Sequence, residues 1–272
     1  MSGTLYIVAT PIGNLEDIST RALRILREAD LIACEDTRQT GKLLAHLGIA
    51  KPMVSYHEHN EAARTAELIA KLESDATVAL VSDAGTPLVS DPGYGLVTAA
   101  IGAGIVVVPI PGASAVLSAL SAAGLPTDAF RFGGFLPPKS GQRKKALEAL
   151  RGEDCTMVFY EAPHRILDTL SDVQAVCGDR PVVVARELTQ MHEEFLRGTA
   201  DEVRAHLATR ASVKGEITLL IGKGGPAALP ATSVEDAVRD LEQKGVPRMD
   251  AIKQVARERG LSKRDVYKKL TQ

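Results

Sequence analysis

The fold of this chain is decided by residues 78–95, VALVSDAGTPLVSDPGYG. The first four residues are apolar and rich in valine, which is typical of a strand buried in a parallel sheet. Residues 82–93 contain two Asp, two Pro and two Gly, more turn-forming residues than a strand-to-helix connection requires. Because ligands bind beyond the carboxyl ends of parallel strands, we interpret this segment as a binding loop, with an ordinary connection as the alternative. A helix is expected over residues 94–103.

The composition is that of a globular chain of 272 residues, long enough for about two domains. The 32 Lys and Arg nearly balance the 34 Asp and Glu, so the net charge by itself favours no partner. No apolar run is long enough to span a bilayer, and no signal peptide precedes the first strand. The three cysteines form no disulfide or zinc pattern, so we expect a cytoplasmic protein without a metal. Aromatic residues make up only 4% of the chain, which argues against a base-stacking RNA-binding platform.

The N-terminal half alternates buried strands with helices. Apolar runs predict five strands, and the segments between them have helical patterns, with Ser19 as the N-cap of the first helix. This alternation is typical of a parallel α/β domain, which we place at residues 1–122. The expected strands are residues 5–9, 31–34, 52–56, 78–81 and 105–108.

The loop after the first strand, TPIGN at residues 10–14, is informative for what it lacks. A dinucleotide-binding or common methyltransferase Rossmann domain carries a glycine-rich fingerprint at this point. Here Gly13 is the only glycine of the loop, Pro11 stiffens it, and the chain contains no P-loop. We therefore expect a cofactor without phosphate groups.

A second α/β domain is expected at residues 123–226. A helix of small residues begins near Ser114 and is ended by Gly124-Leu125-Pro126, after which the strand pattern restarts. One of the new strands, residues 195–198, is short and expected to be antiparallel, so the second sheet is predicted to be mixed. The other expected strands are residues 130–136, 155–160, 181–185 and 217–221.

Residues 227–272 are predicted to form a linker and a helical module resembling a helix-turn-helix. Three helical patterns cover residues 234–243, 248–259 and 262–270. From residue 248 onward there are eight Lys or Arg and three Asp or Glu, a local charge of 8 − 3 = +5. A basic tail on an acidic body indicates an anionic partner; a solvated helical cap is the alternative.

Several motifs, taken in order and spacing, resemble the bacterial 16S rRNA (cytidine-2′-O)-methyltransferases, a branch of the tetrapyrrole-methylase-like (class III) superfamily. The resemblance covers the whole chain. Most tetrapyrrole methylases and diphthine synthases carry a glycine-rich loop where this chain has TPIGN, which argues against a porphyrinoid substrate. The motifs are LYIVATPIGN, LIACEDTR, VSDAGTPLVSDPGY, PGASA, GFLPPK, YEAPHR, ARELT and KGEITLLI.

The resemblance implies two α/β domains with S-adenosylmethionine in the cleft between them, a homodimer, and 16S rRNA of the small ribosomal subunit as substrate. Loops at strand ends are expected to bind the cofactor, and the start of the helix at Ser114 offers free N–H groups for its carboxylate. The expected contacts are Pro11, Ile12, Gly13, Asp83, Ala84, Gly85, Thr86, Ser114, Ala115, Tyr160, Arg186, Ile217 and Thr218.

Methyl transfer to a ribose hydroxyl is helped by a general base, because the hydroxyl is a poor nucleophile. The candidates at strand ends are Glu35, Asp36, His57, Glu161, His164, Glu187 and Lys214. We favour Glu161 and Glu187, although each of these side chains has an ordinary ion-pairing or surface role as its alternative.

Basic side chains are the candidates for contacts with RNA phosphates. They are Arg38, Lys139, Arg143, Lys144, Lys145, Arg165 and Arg186 in the two domains, and Lys263 and Arg264 in the tail. Two other functions stay open at this point. One is methylation of a small tetrapyrrole-like substrate, and the other is a non-catalytic ribosome-binding factor.

Overall fold

The computed structural model describes residues 3–224, 234–243, 245–258 and 263–270. The chain forms two compact units, residues 1–222 and 223–272. The first unit contains two five-stranded sheets, and the second contains helices in its described part. None of the described helices is long and apolar enough to cross a membrane.

The first sheet is entirely parallel, with the strand order β3-β2-β4-β1-β5. The prediction of five parallel strands alternating with helices is confirmed. The strands are β1 (Thr4–Val8), β2 (Leu31–Cys34), β3 (Met53–Ser55), β4 (Thr77–Val81) and β5 (Val106–Ile110). The helices are α1 (Thr20–Glu28), α2 (Thr37–His46), α3 (Glu61–Glu73), α4 (Tyr94–Gly102) and α5 (Ala115–Ala123).

Apolar side chains cover both faces of this sheet, which is why its strands read as continuous apolar runs rather than alternating ones. One core cluster includes Val8, Ile32 and Val81, and another includes Leu5 and Leu80. Successive residues of a strand point to opposite faces, so each central strand contributes to both clusters. The carboxyl ends of β1 and β4 therefore lie side by side at one edge of a rigid sheet.

Local sequence signals set the helix starts. The Ser19 hydroxyl accepts a hydrogen bond from Ala22 N (3.1 Å) at the start of α1, as predicted. The Ser114 hydroxyl accepts one from Leu117 N (3.4 Å) at the start of α5. The helix that follows Glu161 begins at Ile166, because residues 163–165 form a turn.

The second sheet is mixed, with the order β6-β7-β10-β8-β9. The pair β6–β7 is parallel and the other pairs are antiparallel, including the predicted short strand β9. The strands are β6 (Phe130–Phe135), β7 (Thr156–Glu161), β8 (Val182–Arg186), β9 (Glu194–Gly198) and β10 (Ile217–Ile221). The helices are α6 (Ser140–Leu150), α7 (Ile166–Cys177) and α8 (Ala200–Ala208).

Helix α5 links the two sheets in space. Its buried residues Val116 and Leu120 belong to the same core cluster as Val158 of β7, Val183 of β8 and Leu220 of β10. The helix thus follows the first sheet in sequence but packs against the second. The domain boundaries at 122/123 and 226/227 remain a prediction.

The second unit has a core of its own. Its described helices are α9 (Val234–Gln243), α10 (Arg248–Glu258) and α11 (Lys263–Lys269). Buried apolar residues of all three helices pack together, namely Val238, Ala251, Ile252, Val255, Ala256 and Val266. The predicted turn at residues 260–262 and most of the predicted linker lie outside the described residues.

Candidate functional site

A cavity of about 360 Å³ lies where loops from the first sheet face the second sheet. Its size is within the range of small-molecule sites. One side comes from the carboxyl ends of β1, β4 and β5, and the other from β7, β10 and the loop after β8. The lining is Ile12, Ala84, Gly85, Thr86, Val89, Ser90, Asp91, Ser114, Ala115, Phe135, Tyr160, Glu161, Ala162, Pro163, Leu188, Gly215, Glu216, Ile217 and Thr218.

The loops after β1 and β4 are joined into one wall of this cavity. Thr10 N donates to Gly85 O (2.9 Å), and Gly85 N donates to Thr10 O (3.1 Å). Gly85 has φ +82°, a conformation that side chains other than glycine rarely adopt. An added Cβ there would lie 3.2 Å from Ile12 Cγ2, so glycine lets the two loops approach closely.

Backbone strain is concentrated around the cavity. Leu88, Ser90, Glu187 and Thr189 all have positive φ, between 53° and 71°. These residues either line the cavity or adjoin a residue that does. Conformations of this kind cost of order 1–3 kcal/mol each and tend to cluster at functional sites. The strain supports the interpretation of residues 82–93 as a binding loop.

The described lining of the cavity carries carboxylates and contains no Lys or Arg. Desolvation raises the pKa of Asp91, and the nearby Asp83 charge raises it further. Desolvation also raises the pKa of Glu216 at the cavity mouth, with a contribution from Glu187. The pKa of Tyr160 is raised by desolvation first and then by the charges of Asp91 and Glu216. The cavity is therefore suited to a cationic ligand rather than to a phosphate.

Aromatic rings form part of the lining. Phe135 and Tyr160 meet edge to face, with ring centroids 5.6 Å apart. The Tyr160 ring also packs against Phe132 at 4.9 Å. Flat rings fixed in this way offer a surface against which a planar heterocycle can pack.

The structure brings together nine of the predicted cofactor contacts in this lining. They are Ile12, Ala84, Gly85, Thr86, Ser114, Ala115, Tyr160, Ile217 and Thr218. Pro11, Gly13 and Asp83 instead line a second cavity on the other side of the same loops. Arg186 lies in neither lining. Its side chain pairs with Glu194 and donates to Lys214 O and His192 O, both at 3.0 Å, and the cofactor contact expected at Arg186 remains a prediction.

The Glu161 side chain is held by structural contacts, and its catalytic role remains a prediction. Its side chain is fully buried, and both carboxylate oxygens are occupied by hydrogen bonds. Oε1 accepts from Arg165 Nε (2.8 Å) and Ala162 N (2.7 Å), and Oε2 accepts from the Thr169 hydroxyl (2.6 Å). Both oxygens are therefore committed to donors of residues 162–169. Although Glu161 lines the cavity, its side chain fixes the start of α7.

Glu187, the other favoured base, does not line the cavity. Its carboxylate accepts from Glu216 N (3.0 Å) and lies over Gly215, which closes the turn before β10. The remaining base candidates, Glu35, Asp36, His57, His164 and Lys214, are also absent from the described lining.

Burial divides the candidate phosphate contacts into two groups. The Arg143 side chain is 2% exposed and pairs with Asp172 at 2.7 Å, while Arg165 is 18% exposed and pairs with Glu161. Neither is available to a phosphate, because a buried arginine is committed to its carboxylate partner. Lys144 lies between the groups, 45% exposed and 3.4 Å from Asp172. The exposed candidates are Arg38, Lys139, Lys145, Lys263 and Arg264.

The sequence interpretation missed the two charged residues Asp91 and Glu216 of the cavity lining. Asp91 belongs to the second turn of the binding loop, and Glu216 follows Gly215 directly before β10. Both stand inside segments that had been singled out, but only their burial among other carboxylates distinguishes them.

Known proteins of similar sequence and fold identify the class to which this protein belongs. The sequence profile described as Tetrapyrrole (Corrin/Porphyrin) Methylases matches residues 4–204. A uroporphyrin-III C-methyltransferase from Thermus thermophilus complexed with S-adenyl homocysteine has a similar fold, with a TM-score of 0.56 and 19% identity over 81% of this chain and 97% of that one. The fold is therefore that of the tetrapyrrole methylases.

Relatives of high sequence identity identify the group within the tetrapyrrole methylases. A protein of Halalkalibacterium halodurans is 52% identical, covering 97% of this chain and 93% of its own length. A Synechocystis protein is 50% identical, covering 97% and 96%. Both are named ribosomal RNA small subunit methyltransferase I. The chain belongs to this methyltransferase family within the tetrapyrrole methylases, which confirms the resemblance seen in the motifs.

Proposed function

We propose that this protein is an S-adenosylmethionine-dependent enzyme that methylates the ribose 2′-hydroxyl of a cytidine in 16S rRNA of the small ribosomal subunit. The observation that carries the proposal is identity of about one half, over nearly the whole chain, to proteins named small subunit rRNA methyltransferases. The finer statement, the 2′-hydroxyl of a cytidine, rests on the motifs TPIGN, EDTR and SDAGTP.

The described cavity fits S-adenosylmethionine. Its lining carboxylate Glu216 matches the positive charge of the cofactor. Ser114 and Ala115 stand at the N-terminus of α5 and line the cavity, where free N–H groups favour a carboxylate. The Phe135 and Tyr160 rings provide a surface for the adenine. The absence of Lys and Arg from this lining agrees with a cofactor that lacks phosphates.

When bound, the cofactor supplies an electrophilic methyl group that an acceptor oxygen takes by in-line displacement. The protein's main contribution is to hold donor and acceptor in line, which accounts for a large part of the rate enhancement in reactions of this type. The strained loop at residues 88–90 and the paired loops after β1 and β4 are rigid elements on which such positioning depends.

Asp91 is the carboxylate that we assign as acceptor of the hydroxyl proton. Its raised pKa makes it a stronger base than an ordinary aspartate. Its charge also interacts with Asp83 and Glu35, so Asp91 lies toward the ends of β2 and β4. Glu216 interacts instead with Glu187, on the side of the second sheet. This division leaves Glu216 to balance the cofactor's positive charge.

Two other functions are not favoured. A small tetrapyrrole-like substrate agrees with the breadth of the family, but the relatives at 50% and 52% identity are named for ribosomal RNA. A non-catalytic ribosome-binding factor would have no need for a strained cavity lined by desolvated carboxylates.

The active form is a homodimer in the cytoplasm, where ribosomes are assembled. Helix α4 supports the dimer because it is apolar on its outer side as well as its inner one. Tyr94 and Ile101, seven residues apart and therefore on one side of the helix, are 77% and 64% exposed. Exposed apolar residues that lie together are typical of an interface with another protein.

The test is transfer of a labelled methyl group from S-adenosylmethionine to purified 30S particles that lack the modification. The wild-type protein is expected to methylate the 30S particles and to leave tetrapyrroles unmodified. Asp91→Asn is expected to lower kcat by roughly 10²–10⁴-fold, the usual contribution of a general base, and to leave the calorimetric Kd for the cofactor nearly unchanged. Glu216→Gln serves as the matched control and is expected to weaken cofactor binding instead.

The proton-acceptor assignment also has a pH signature. Because the pKa of Asp91 is raised, activity should fall as pH is lowered through that pKa, and Asp91→Asn should lack this limb. Unmodified 30S particles would contradict the proposed function, whereas normal kcat in Asp91→Asn would contradict only the role of Asp91.

A further inference from the structure

A second cavity, of about 340 Å³, lies on the other side of the loops that bound the first. Adjacent residues of the same loops face opposite ways. Ile12 lines the first cavity, while Pro11 and Gly13 line the second; Ala84 lines the first, while Asp83 lines the second. The two cavities are thus separated by a wall one loop thick. The other residues of the second lining are Leu15, Lys42, Leu43 and His46.

Helix α2 forms the outer rim of this second cavity and presents a basic ridge, Arg38, Lys42 and His46. The three residues are four apart and all exposed, so they share one face of the helix. Four residues of helix correspond to about 6 Å, comparable to the separation of successive phosphates on an extended nucleic-acid strand. The ridge therefore matches a strand rather than a single small anion.

The ridge is only partly neutralised. Arg38 pairs with Asp36 at 2.7 Å, but its side chain is 86% exposed. Lys42 Nζ donates to Gln39 Oε1 (3.3 Å). Within residues 3–224, neither Lys42 nor His46 is ion-paired with a carboxylate. Lys42 thus carries a positive charge at the cavity rim, and no carboxylate of the described residues forms an ion pair with it.

The inner end of the cavity has the opposite chemistry. Asp83 lies at the shared wall, where its Oδ1 accepts from Asp36 N (3.1 Å). The charges of Asp83, Asp91 and Asp36 act together on Glu35 and raise its pKa, after desolvation as the largest cause. The Asp83 carboxylate repels a phosphate and can accept a hydrogen bond from a hydroxyl group. Leu15, Leu43 and Pro11 add apolar surface to the same lining.

We propose that the second cavity holds the single-stranded rRNA next to the target nucleotide, with Lys42 and the α2 ridge contacting its phosphates. This inference rests on the proposed function and extends it to the strand's path. With one phosphate at the rim and a sugar hydroxyl near Asp83, the RNA strand would reach the wall that the second cavity shares with the cofactor cavity. Phosphate contacts set the position of a strand rather than its sequence, so Lys42 is a positioning residue.

The test compares Lys42→Gln with the wild type and with Lys71→Gln, a matched control. Lys71 is exposed on α3 and lines neither cavity. For Lys42→Gln, the log–log salt dependence of 30S binding should become shallower by about 0.7, the value for one phosphate contact on a single strand. KM for 30S particles should rise roughly two- to fivefold, as for one exposed charge pair. The cofactor Kd and kcat should stay unchanged.

Two further variants separate charge from structure. Lys42→Arg should restore KM and the salt slope, because arginine also contacts phosphate. Lys42→Glu should raise KM beyond Lys42→Gln, because it adds a repulsive charge at the same place. If Lys42 were only a structural residue, its replacement would shift the melting temperature, and KM would not increase in the order Lys42→Arg, Lys42→Gln, Lys42→Glu.

The outcomes distinguish this inference from the proposed function. If the wild type methylates 30S particles while Lys42→Gln matches Lys71→Gln in KM and salt slope, the strand does not use this cavity and only the further inference is overturned. If the wild type binds the cofactor but leaves 30S particles unmodified, the proposed function fails and this inference fails with it.

Discussion

Four of the arginines predicted from the sequence to contact phosphates differ sharply in their exposure. On α2, the side chain of Arg38 is 86% exposed. In the second half, those of Arg143, Arg165 and Arg186 are 2%, 18% and 14% exposed, each beside a carboxylate. One residue type therefore supplies an open basic ridge in one half and internal ion pairs in the other. A basic motif therefore indicates RNA contact only where the fold leaves its side chains exposed.

The carboxylate partners of these arginines explain why their exposure differs. Asp172 of α7 and Glu161 of β7 are themselves buried, and an unpaired buried carboxylate is costly. The arginines near them are therefore needed for folding. Asp36, the partner of Arg38, caps the N-terminus of α2 by accepting from Arg38 N (2.8 Å), and it does not depend on the arginine side chain for burial.

The strongest test of this comparison is Arg143→Ala. Removing one partner leaves Asp172 buried without its main counter-charge, so unfolding free energy should fall by about 3–5 kcal/mol. Lys145→Ala, on the same helix but exposed, should change it by less than about 0.5 kcal/mol. Urea denaturation of both variants makes the measurement. Equal and small effects would mean that Arg143 is not a structural residue.

The next largest effect is expected at the ion cluster of Glu194, Arg186 and Arg210. Hydrogen bonding to Arg210 and then to Arg186 lowers the pKa of Glu194 from 4.5 to about 2. A carboxyl whose pKa is lowered by folding stabilises the protein above its unfolded pKa and loses that contribution as pH falls toward the folded one. Glu194→Gln should therefore cost about 1–3 kcal/mol at pH 7.

The pH dependence sharpens this prediction. The difference between wild type and Glu194→Gln should shrink as pH falls below about 4.5 and should be constant above it. Unfolding free energies measured at pH 7, 5 and 3.5 make the check. A difference that stays the same at pH 3.5 would show that the charge of Glu194 is not what stabilises the cluster.

The smallest effect on stability is expected for the exposed cations of the tail. Lys263 and Arg264 lie exposed on α11, so replacing both by Gln should leave the melting temperature nearly unchanged. If they contact rRNA phosphates, the salt slope of 30S binding should become shallower by about 1.4, or 0.7 for each lost contact. An unchanged slope would make the tail a solvated cap.

The sequence predicted the order of strands and helices, the parallel first sheet, the mixed second sheet and the turn-rich loop at residues 82–93, part of which lines the first cavity. These features depend on local patterns, such as the apolar run before residue 82 and the N-cap serines 19 and 114, which act over a few residues. Motif spacing also identified the family, because the loops that build the cavity are contiguous stretches of chain.

Only the tertiary structure decided which charged side chains are available for chemistry. Glu161 and Arg143 stand in polar segments of the sequence, yet both side chains are buried. Glu161 accepts hydrogen bonds from Arg165 and Thr169, and Arg143 pairs with Asp172. The local sequence does not reveal these partners. The pKa values of Asp91 and Glu216 are raised first by desolvation, which arises only when both sheets enclose the cavity, and then by the charges of Asp83 and Glu187. The burial and the charge partners of a side chain depend on several segments of the chain at once, so no local pattern of residues can specify them.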